Sequence, residues 1–433
     1  MILRWELSIG AAGSADAQWL DVERHGALGT SMISYQQALE IILRGVRPLA
    51  SERVALIAAS GRILATPLVA LHDMPPFDQS LVDGYALRSS DTQAATPAQP
   101  VRLALGQTLT AGESLEQPLA PRQAIRIMTG ASLPPGANTV IKMEESQVEA
   151  GTLLIHQLLP HGLDMQRRGV EIRRHTVVLR QGERLTPQRI GVALALGMDS
   201  VEVIRRPRLA LVAPGDELLP PGAPWQPGKK WCSNLYALDI RAQELGCTSV
   251  NLGIVADTLE SLTVQLQRGL ESDAVVILGA SGRGDHDFAT RAMAASGAEI
   301  LFRGVATSPG RSVTVARRGE TLIFGLPGSP WAALVGFEVF VWPVLRAMLR
   351  QRPVLPVLQT ATLATPVQVR PGVTHFLPAR LQPGPTGWAA LPVENLLTLA
   401  RAESHPLGLI VVPPHRRRFP AGARVRVQPI TPW

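Results

Sequence analysis

The spacing of apolar residues changes twice in the first half of the chain, from a helical period to short runs and back. Residues 34–48 carry apolar side chains at helical spacing behind Ser34, which can cap a first turn, and residues 186–198 return to that period. Between about 62 and 165 the apolar runs are short and are separated by turn residues, a pattern typical of β-strands. Helical segments therefore flank a β block, which predicts that the block is an insertion into a helical domain.

From residue 207 onward, strand-like and helix-like segments alternate. Apolar runs such as RLALVAP (208–214) and DAVVILG (273–279) are followed by amphipathic segments of helical period, which predicts a parallel, doubly wound α/β sheet. Short strands separated by prolines follow residue 353 and predict a small terminal β domain. The predicted division is 1–31 as an N-terminal extension, 32–70 and 166–205 as a discontinuous helical linker domain, 71–165 as an inserted β domain, 206–352 as the α/β domain, and 353–433 as the C-terminal β domain.

The amount and distribution of charge indicate which classes of binding partner to expect. The net charge is +7 and lysine occurs only at positions 142, 229 and 230, so arginine carries nearly all of the basic charge. This composition suits bidentate contacts to oxyanions, and it equally fits a genome biased towards arginine codons. Because the arginines are scattered and no basic stripe alternates with aromatic residues, we expect no nucleic-acid partner.

Cysteine usage and hydropathy indicate the compartment. Cys232 and Cys247 give no disulfide framework, and the N-terminus lacks the pattern of a signal peptide, so we expect a cytoplasmic protein. The most apolar segment, residues 331–349, contains Glu338 and Arg346. These charges predict a buried helix, and no membrane association is expected.

Candidate chemistry follows the predicted strands of the α/β domain. Ligands of open α/β sheets bind beyond the carboxyl ends of the strands, where glycine-rich loops and helix N-termini hold oxyanions. Carboxylates at the same edge would repel an anion, so Asp216, Asp257 and Asp287 together predict a divalent cation beside a phosphate. Each is also compatible with a turn or cap, and Asp257 is predicted to cap its helix, as is Asn234.

The segment MPPFDQSLVDGYALRSSDT (74–92) allows two readings. In the first, the segment forms an ordinary turn before the short strand YALR, and its aspartates accept hydrogen bonds from local N–H groups. In the second, it forms a proline-stiffened lip that holds Asp83 over a ligand. The segment alone does not separate these readings.

Seven motifs in a fixed order carry a family resemblance, from about Met32 to the C-terminus. PPFDQSLVDGYA resembles the signature PxFDNSxMDGYA, and RIMTGASLPPGANTVIKMEE (126–145) resembles a second one. GDEL (215–218), GIVAD (253–257), the loop 279–287, SPGRS (308–312) and GLPGSP (325–330) follow in register. The chain thus resembles the molybdopterin molybdenumtransferases, which include the second domain of gephyrin.

The resemblance implies a reaction and an assembly. Members insert molybdate into adenylated molybdopterin and release AMP with the help of Mg²⁺. They are four-domain homodimers with a C-terminal β-barrel, and the shared active site lies between the α/β domain of one subunit and the partner's β insertion. Because the pterin supplies the sulfur ligands of molybdenum, no cluster of cysteine and histidine residues is expected as its ligands. A molybdoenzyme or another protein of cofactor biosynthesis is a possible partner.

The resemblance also assigns residues. Asp83, Thr129, Asp257 and Asp287 would be catalytic, with Asp257 and Asp287 holding Mg²⁺ near the adenylate phosphate. The residues expected to bind substrate are Asp216, Glu217, Gly279, Ser281, Gly282, Gly284, Arg311, Gly328 and Ser329. Leu278 and Ala280 depart from the family loop, and Arg311 replaces a lysine. These departures suit an alternative function, a non-catalytic relative that carries molybdopterin or the finished cofactor to a molybdoenzyme.

Overall fold

The computed structural model describes residues 32–279, 288–385, 387–393 and 406–430. The predicted N-terminal extension, residues 1–31, lies outside this part of the chain. The described residues form hydrophobic clusters in an α/β region, a linker region, a β insertion and a C-terminal barrel. The largest cluster, in the α/β region, also includes Ile63 of the linker region and Phe376 of the barrel. The mixed α/β fold class is therefore confirmed, whereas the exact domain boundaries remain predictions.

A six-stranded sheet organises the α/β domain. Its strands are β1 (Arg208–Pro214), β2 (Thr248–Val255), β3 (Ala274–Leu278), β4 (Glu299–Arg303), β5 (Thr314–Arg318) and β6 (Thr321–Leu326). They lie in the order β2-β1-β3-β6-β5-β4, and β2, β1, β3 and β6 are parallel. Strand β5 was not predicted, and it runs antiparallel to both of its neighbours, so the predicted parallel sheet ends in an antiparallel hairpin.

Helices cover both faces of this sheet. One face packs against α1 (Ser233–Glu244) and the long helix α4 (Pro330–Met348), and the other packs against α2 (Leu259–Gly269) and α3 (Phe288–Ala295). Helix α4 passes through one π-helical segment at Phe337–Val341. Among the described residues, α4 is the one helix long and apolar enough to cross a bilayer, but most of it is buried in the core.

The linker region is built from two passes of the chain. Strand Ser51–Ala55 pairs with Ser200–Ile204, and Leu68–Val69 pairs with Val177–Leu179. Helix Pro187–Ala195, which Thr186 caps, completes its core. The region therefore contains paired strands as well as the predicted helix.

The helix Tyr35–Leu43 begins with a capping box formed by Ser34 and Gln37, as its Ser cap predicts. Its buried residues Ala38 and Ile42 pack in the α/β core with helix α4. The assignment of residues 32–70 to the linker domain stays a prediction, and the buried face of this helix packs in the α/β core. An amphipathic period shows that a helix buries one face, but it does not show which domain receives that face.

The β insertion contains a second six-stranded sheet. In spatial order its strands are Thr139–Lys142, Gly84–Leu87, Gln123–Ile127, Val101–Leu109, Thr152–Ile155 and Gln147–Glu149. Strands Gln79–Ser80 and Met165–Gln166 pair where the chain enters and leaves the insertion. At this neck Asp73 accepts hydrogen bonds from Arg174 N (2.7 Å) and Arg168 Nε (2.6 Å), so its carboxylate joins the two passes.

The C-terminal domain is a small closed barrel. Five strands close it, because Thr374–Gly384 pairs with both Gly387–Pro392 and Leu407–Val412, and the ring continues through Gln359–Leu363 and Arg424–Pro429. The short strands Val367–Gln368 and Arg418–Phe419 pair separately. Thr307–Ser308 of the α/β domain pairs with Thr374–His375, which joins the barrel to a loop of that domain.

Candidate active site

Four parallel strands end at one edge of the α/β sheet. Pro214 lies opposite Val255, and Leu278 lies opposite Leu326, so β1, β2, β3 and β6 finish level with one another. Neighbouring strands are about 4.8 Å apart, and the four ends therefore span roughly 15 Å. The chain crosses from β2 over β1 to β3, so the reversal of strand order that marks ligand sites falls beside β1.

The acidic part of the edge lies after β1 and β2. The backbone N–H of Asp257 donates to Asp216 Oδ1 at 3.2 Å, which brings the two predicted aspartates together. The hydroxyl of Thr258 accepts from Ser261 N and caps helix α2, so the prediction that Asp257 is the cap was wrong. The described residues contain no group of three or more His, Cys, Asp or Glu side chains arranged as a metal site.

Two lysines accompany the carboxylates. Lys230 Nζ lies 3.1 Å from Glu217 Oε1, and Lys229 Nζ donates to the backbone carbonyl of Asp216. The pairing of Leu218–Leu219 with Lys230–Trp231 folds this segment back on itself and brings the lysines to the edge. Neither lysine was predicted to belong to the site, although two of the three lysines in the chain are adjacent there.

Two glycines make close backbone contact in the middle of the edge. Gly279 follows β3 with φ of +85°, and a Cβ on Gly328 would lie 3.3 Å from the Gly279 Cα. Asn234 Nδ2 donates to Gly328 O at 2.7 Å and holds this loop. Asn234 therefore does not cap α1 as predicted; the cap position belongs to Cys232, which makes no side-chain capping bond.

Helix α4 begins at this edge. Ser329 occupies its N-cap position, its side chain makes no capping bond, and Pro330 follows in the first turn. The free N–H groups of a helix N-terminus attract anions.

Arg311, the predicted basic residue of the site, lies on the loop after β4. Strand β4 runs in the same direction as β6, and Arg311 Nε contacts Met32 Sδ at 3.2 Å.

Four predicted site residues, Ser281, Gly282, Gly284 and Asp287, lie outside the described part of the chain. Their placement and the pairing of Asp287 with Asp257 remain predictions. The other predicted residues of this edge, namely Asp216, Glu217, Asp257, Gly279, Gly328 and Ser329, follow the ends of β1, β2, β3 and β6.

A separate polar pair lies on the β insertion. Asp83 Oδ1 accepts two hydrogen bonds from Thr129, one from the backbone N–H and one from the hydroxyl, each 2.8 Å long. These bonds, helped by the charge of Arg126, hold the pKa of Asp83 below its usual range. Asp83 and Thr129 are both exposed, so an ionised carboxylate is fixed in one orientation at the surface. Asp83 and Thr129 are 46 positions apart in the sequence, one in each signature, and these bonds bring the two signatures together.

Comparisons with known proteins cover nearly all of the described chain. Residues 33–197 match the family model of the MoeA N-terminal region (domain I and II), and residues 210–347 match a probable molybdopterin binding domain. The crystal structure of the molybdopterin biosynthesis moea protein from Pyrococcus horikosii is similar with a TM-score of 0.82 and 29% identity, covering 93% of this chain and 100% of that chain.

Curated relatives give the family. The molybdopterin molybdenumtransferase of Bacillus subtilis is 33% identical over 387 residues, 87% of this chain and 89% of its own length. That of Nostoc is 35% identical over 327 residues, 74% of this chain and 75% of its own. These relatives are named as transferases, which favours the enzyme over the non-catalytic alternative. The chain belongs to the molybdopterin molybdenumtransferase family.

Proposed function

We propose that the protein inserts molybdate into adenylated molybdopterin and releases AMP. The observation that carries this proposal is the sheet edge, where Asp216 and Asp257 meet beside the Gly279–Gly328 contact and the N-terminus of α4. One end of the edge suits a cation and the other suits oxyanions. A phosphoanhydride beside a metal ion requires this combination of charges.

The residues present fit Mg²⁺ as a proposed cofactor. This ion is commonly bound by one or two carboxylates together with substrate phosphates, so Asp257 with Asp216 or Asp287 suffices. When bound, Mg²⁺ would neutralise negative charge on the adenylate phosphate as AMP leaves. Ser329 and the first turn of α4 would hold an oxyanion, and Arg311 would add positive charge. The protein thereby positions molybdate beside the sulfurs of the pterin.

The insertion would act on the partner subunit in a homodimer. The insertion and the α/β domain have separate cores and are connected through the linker region. Asp83 is exposed and already oriented by Thr129, which suits a group that completes a site on another surface. We therefore propose that Asp83 and Thr129 face the sheet edge of the partner. Cytoplasmic location and a molybdoenzyme or biosynthetic partner remain part of this proposal.

Incubation with adenylated molybdopterin, molybdate and Mg²⁺ tests the reaction. We expect AMP to be released over many catalytic cycles, and the release to stop when EDTA removes Mg²⁺. Tight binding of the pterin with no AMP release would instead identify a cofactor carrier. Replacement of molybdate by buffer controls for simple hydrolysis of the adenylate.

Mixed dimers test the shared site. Asp83→Asn and Asp257→Asn subunits should each be nearly inactive, and a verified heterodimer of the two should regain activity because one of its sites is intact. Glu116→Gln changes another exposed carboxylate of the insertion and serves as the matched control. A heterodimer as inactive as its parents would contradict a site built from two subunits.

A further inference from the structure

A cavity lies between the linker region and the α/β domain, at the opposite edge of the sheet from the candidate active site. It has a volume of about 620 Å³, within the usual range of small-molecule sites. Arg206 and Gly246 line it, and these residues come two positions before β1 and β2, at the amino edge of the sheet. Arg346 lines it from the far end of helix α4, about 25 Å along that helix from Ser329. The cavity is therefore separate from the candidate active site.

Arginines dominate the lining of this cavity. They come from distant parts of the sequence: Arg62, Arg184, Arg189, Arg206, Arg346 and Arg352. Two carboxylates also line it, and each already has an arginine partner. Glu183 lies 3.7 Å from Arg189, and Glu244 lies 3.2 Å from Arg241.

One further arginine of the lining is already paired. Arg62 donates to Glu52 and, at 2.9 Å, to Ile204 O. By contrast, Arg184, Arg206 and Arg352 make no side-chain hydrogen bond or ion pair with any residue that the structure describes. The lining thus holds positive charge that the surrounding protein does not neutralise.

Arg346 extends this unneutralised charge into a less exposed part of the cavity. Its guanidinium lies 5.8 Å from the centre of the Trp342 ring, and its Nε and Nη2 both donate to Pro353 O. No carboxylate contacts it within the described chain, and burial lowers its pKa. A half-buried guanidinium that is satisfied by one carbonyl retains donors for another acceptor.

The backbone leaves room for this cluster. Gly61 adopts a φ of +76°, and a Cβ there would lie 3.4 Å from Arg184 Nη2. The guanidinium of Arg184 therefore rests over bare backbone at the rim of the cavity. Ile63, Trp342 and Leu349 supply an apolar part of the wall.

We propose that this cavity binds a small polyanion that bears phosphate groups. Guanidinium groups are weakly hydrated and bind phosphate oxygens in pairs, and several of them in one cleft concentrate multiply charged anions. A bound anion would remove the repulsion among Arg184, Arg206, Arg346 and Arg352. It would also contact both the linker region and the α/β domain, and so hold them together.

Calorimetry with inorganic pyrophosphate tests the site without any use of turnover. We expect the full chain to bind pyrophosphate, and Arg184→Gln/Arg206→Gln to lower the affinity at least tenfold. The dependence of affinity on salt should weaken in this double variant. Arg102→Gln, which removes an exposed arginine of the insertion far from the cavity lining, should bind as the parent chain does. The ligand is either a nucleotide or an inorganic phosphate compound, and titrations with AMP and adenosine distinguish the two. A nucleotide site binds AMP more tightly than pyrophosphate, whereas a site for phosphate groups alone does not. Adenosine shows whether the nucleoside binds without a phosphate group.

Thermal unfolding provides a second measurement. Without anion, the double variant should melt no lower than the parent chain, because two unneutralised charges are gone. With pyrophosphate, its rise in melting temperature should be smaller than that of the parent.

Four outcomes would overturn the proposal. They are no binding by the parent chain, equal binding by the double variant, loss of binding only in Arg311→Gln at the opposite edge, and a preference for an acidic peptide such as hexaglutamate. The last outcome would assign the cavity to a protein segment.

Discussion

The two edges of the α/β sheet offer anions different kinds of positive charge. At the carboxyl edge, helix α4 begins at Ser329, and its N-terminus supplies N–H groups and partial positive charge. At the amino edge, α1 ends at Glu244 and α4 ends at Met348, so carbonyl groups and partial negative charge face the cavity. An anion site at the amino edge therefore needs full charges, and arginines supply them.

The same difference in helix polarity explains which edge can hold carboxylates for binding a cation. Helix N-termini tolerate Asp216 and Asp257 at the carboxyl edge, and these two can hold a cation next to an anion. The carboxylates that line the cavity at the amino edge, Glu183 and Glu244, are each paired with an arginine. One sheet can thus present a mixed-charge edge suited to chemistry and a cavity with excess positive charge suited to binding an anion.

The largest effect should come from Asp257. Asp257→Asn removes the charge that would hold Mg²⁺, and we expect kcat/KM to fall by about 10²–10³-fold with the melting temperature nearly unchanged. Steady-state AMP release over a series of Mg²⁺ concentrations measures this. Glu271→Gln, an exposed carboxylate just before β3 at the amino edge, should leave turnover unaffected. Equal losses in the two variants would remove the functional distinction between the edges.

Packing at the carboxyl edge should give the next largest effect. Gly328→Ala places a methyl group 3.3 Å from the Gly279 Cα, and we expect a loss of about 1–3 kcal/mol in the free energy of unfolding. Gly191→Ala is the opposite case, because this exposed helical glycine has no atom near its Cβ position. It should stabilise the protein by about 0.5–1 kcal/mol. Urea unfolding measures both, and the same sign for both would refute the close contact.

The oriented carboxylate of the insertion should titrate abnormally. Thr129→Val removes the hydroxyl bond, so the pKa of Asp83 should rise towards its usual value. Because the folded pKa is lowered, the Asp83–Thr129 bond stabilises the fold above the unfolded pKa of about 3.9 and stops doing so as pH falls through the folded pKa. NMR titration of the carboxyl carbon and melting curves between neutral and acidic pH check this. An Asp83 pKa unchanged by the substitution would show that the hydroxyl bond is not formed.

The smallest effect should come from the exposed pair of Lys230 and Glu217. Lys230→Met should change the free energy of unfolding by less than about 1 kcal/mol, because solvent screens exposed ion pairs. Its effect on substrate binding should be larger than its effect on stability if Lys230 belongs to the site. Calorimetric titration with molybdate alongside urea unfolding compares the two effects.

The sequence predicted those features that depend on local periodicity and on motifs. The alternation after residue 207 predicted the doubly wound sheet, and the order of the motifs predicted the family. Strand β5 was missed because its apolar run is short and ends in two arginines, and a tight turn then joins it to β6. Such a hairpin has no intervening helix to interrupt the pattern.

Other features depend on contacts between distant residues. Asn234 was assigned to a helix cap from its neighbours alone, yet its partner, Gly328, is 94 residues away. The arginines of the cavity at the amino edge come from four separate stretches of the chain, and no spacing in the sequence links them. The wrong cap at Asp257 is a smaller error, since Thr258 is an equally good capping residue one position later.

The paired strands of the linker region have a mechanical consequence. The backbone reaches the insertion along one segment and returns along another, and hydrogen bonds join these segments at Leu68–Val69 and Val177–Leu179. A domain connected through one segment can rotate about that segment, whereas a domain connected through two hydrogen-bonded segments can mainly bend about the line between them. Any movement of the insertion would then follow mainly one bending direction, which would limit the positions that the carboxylate of Asp83 can reach.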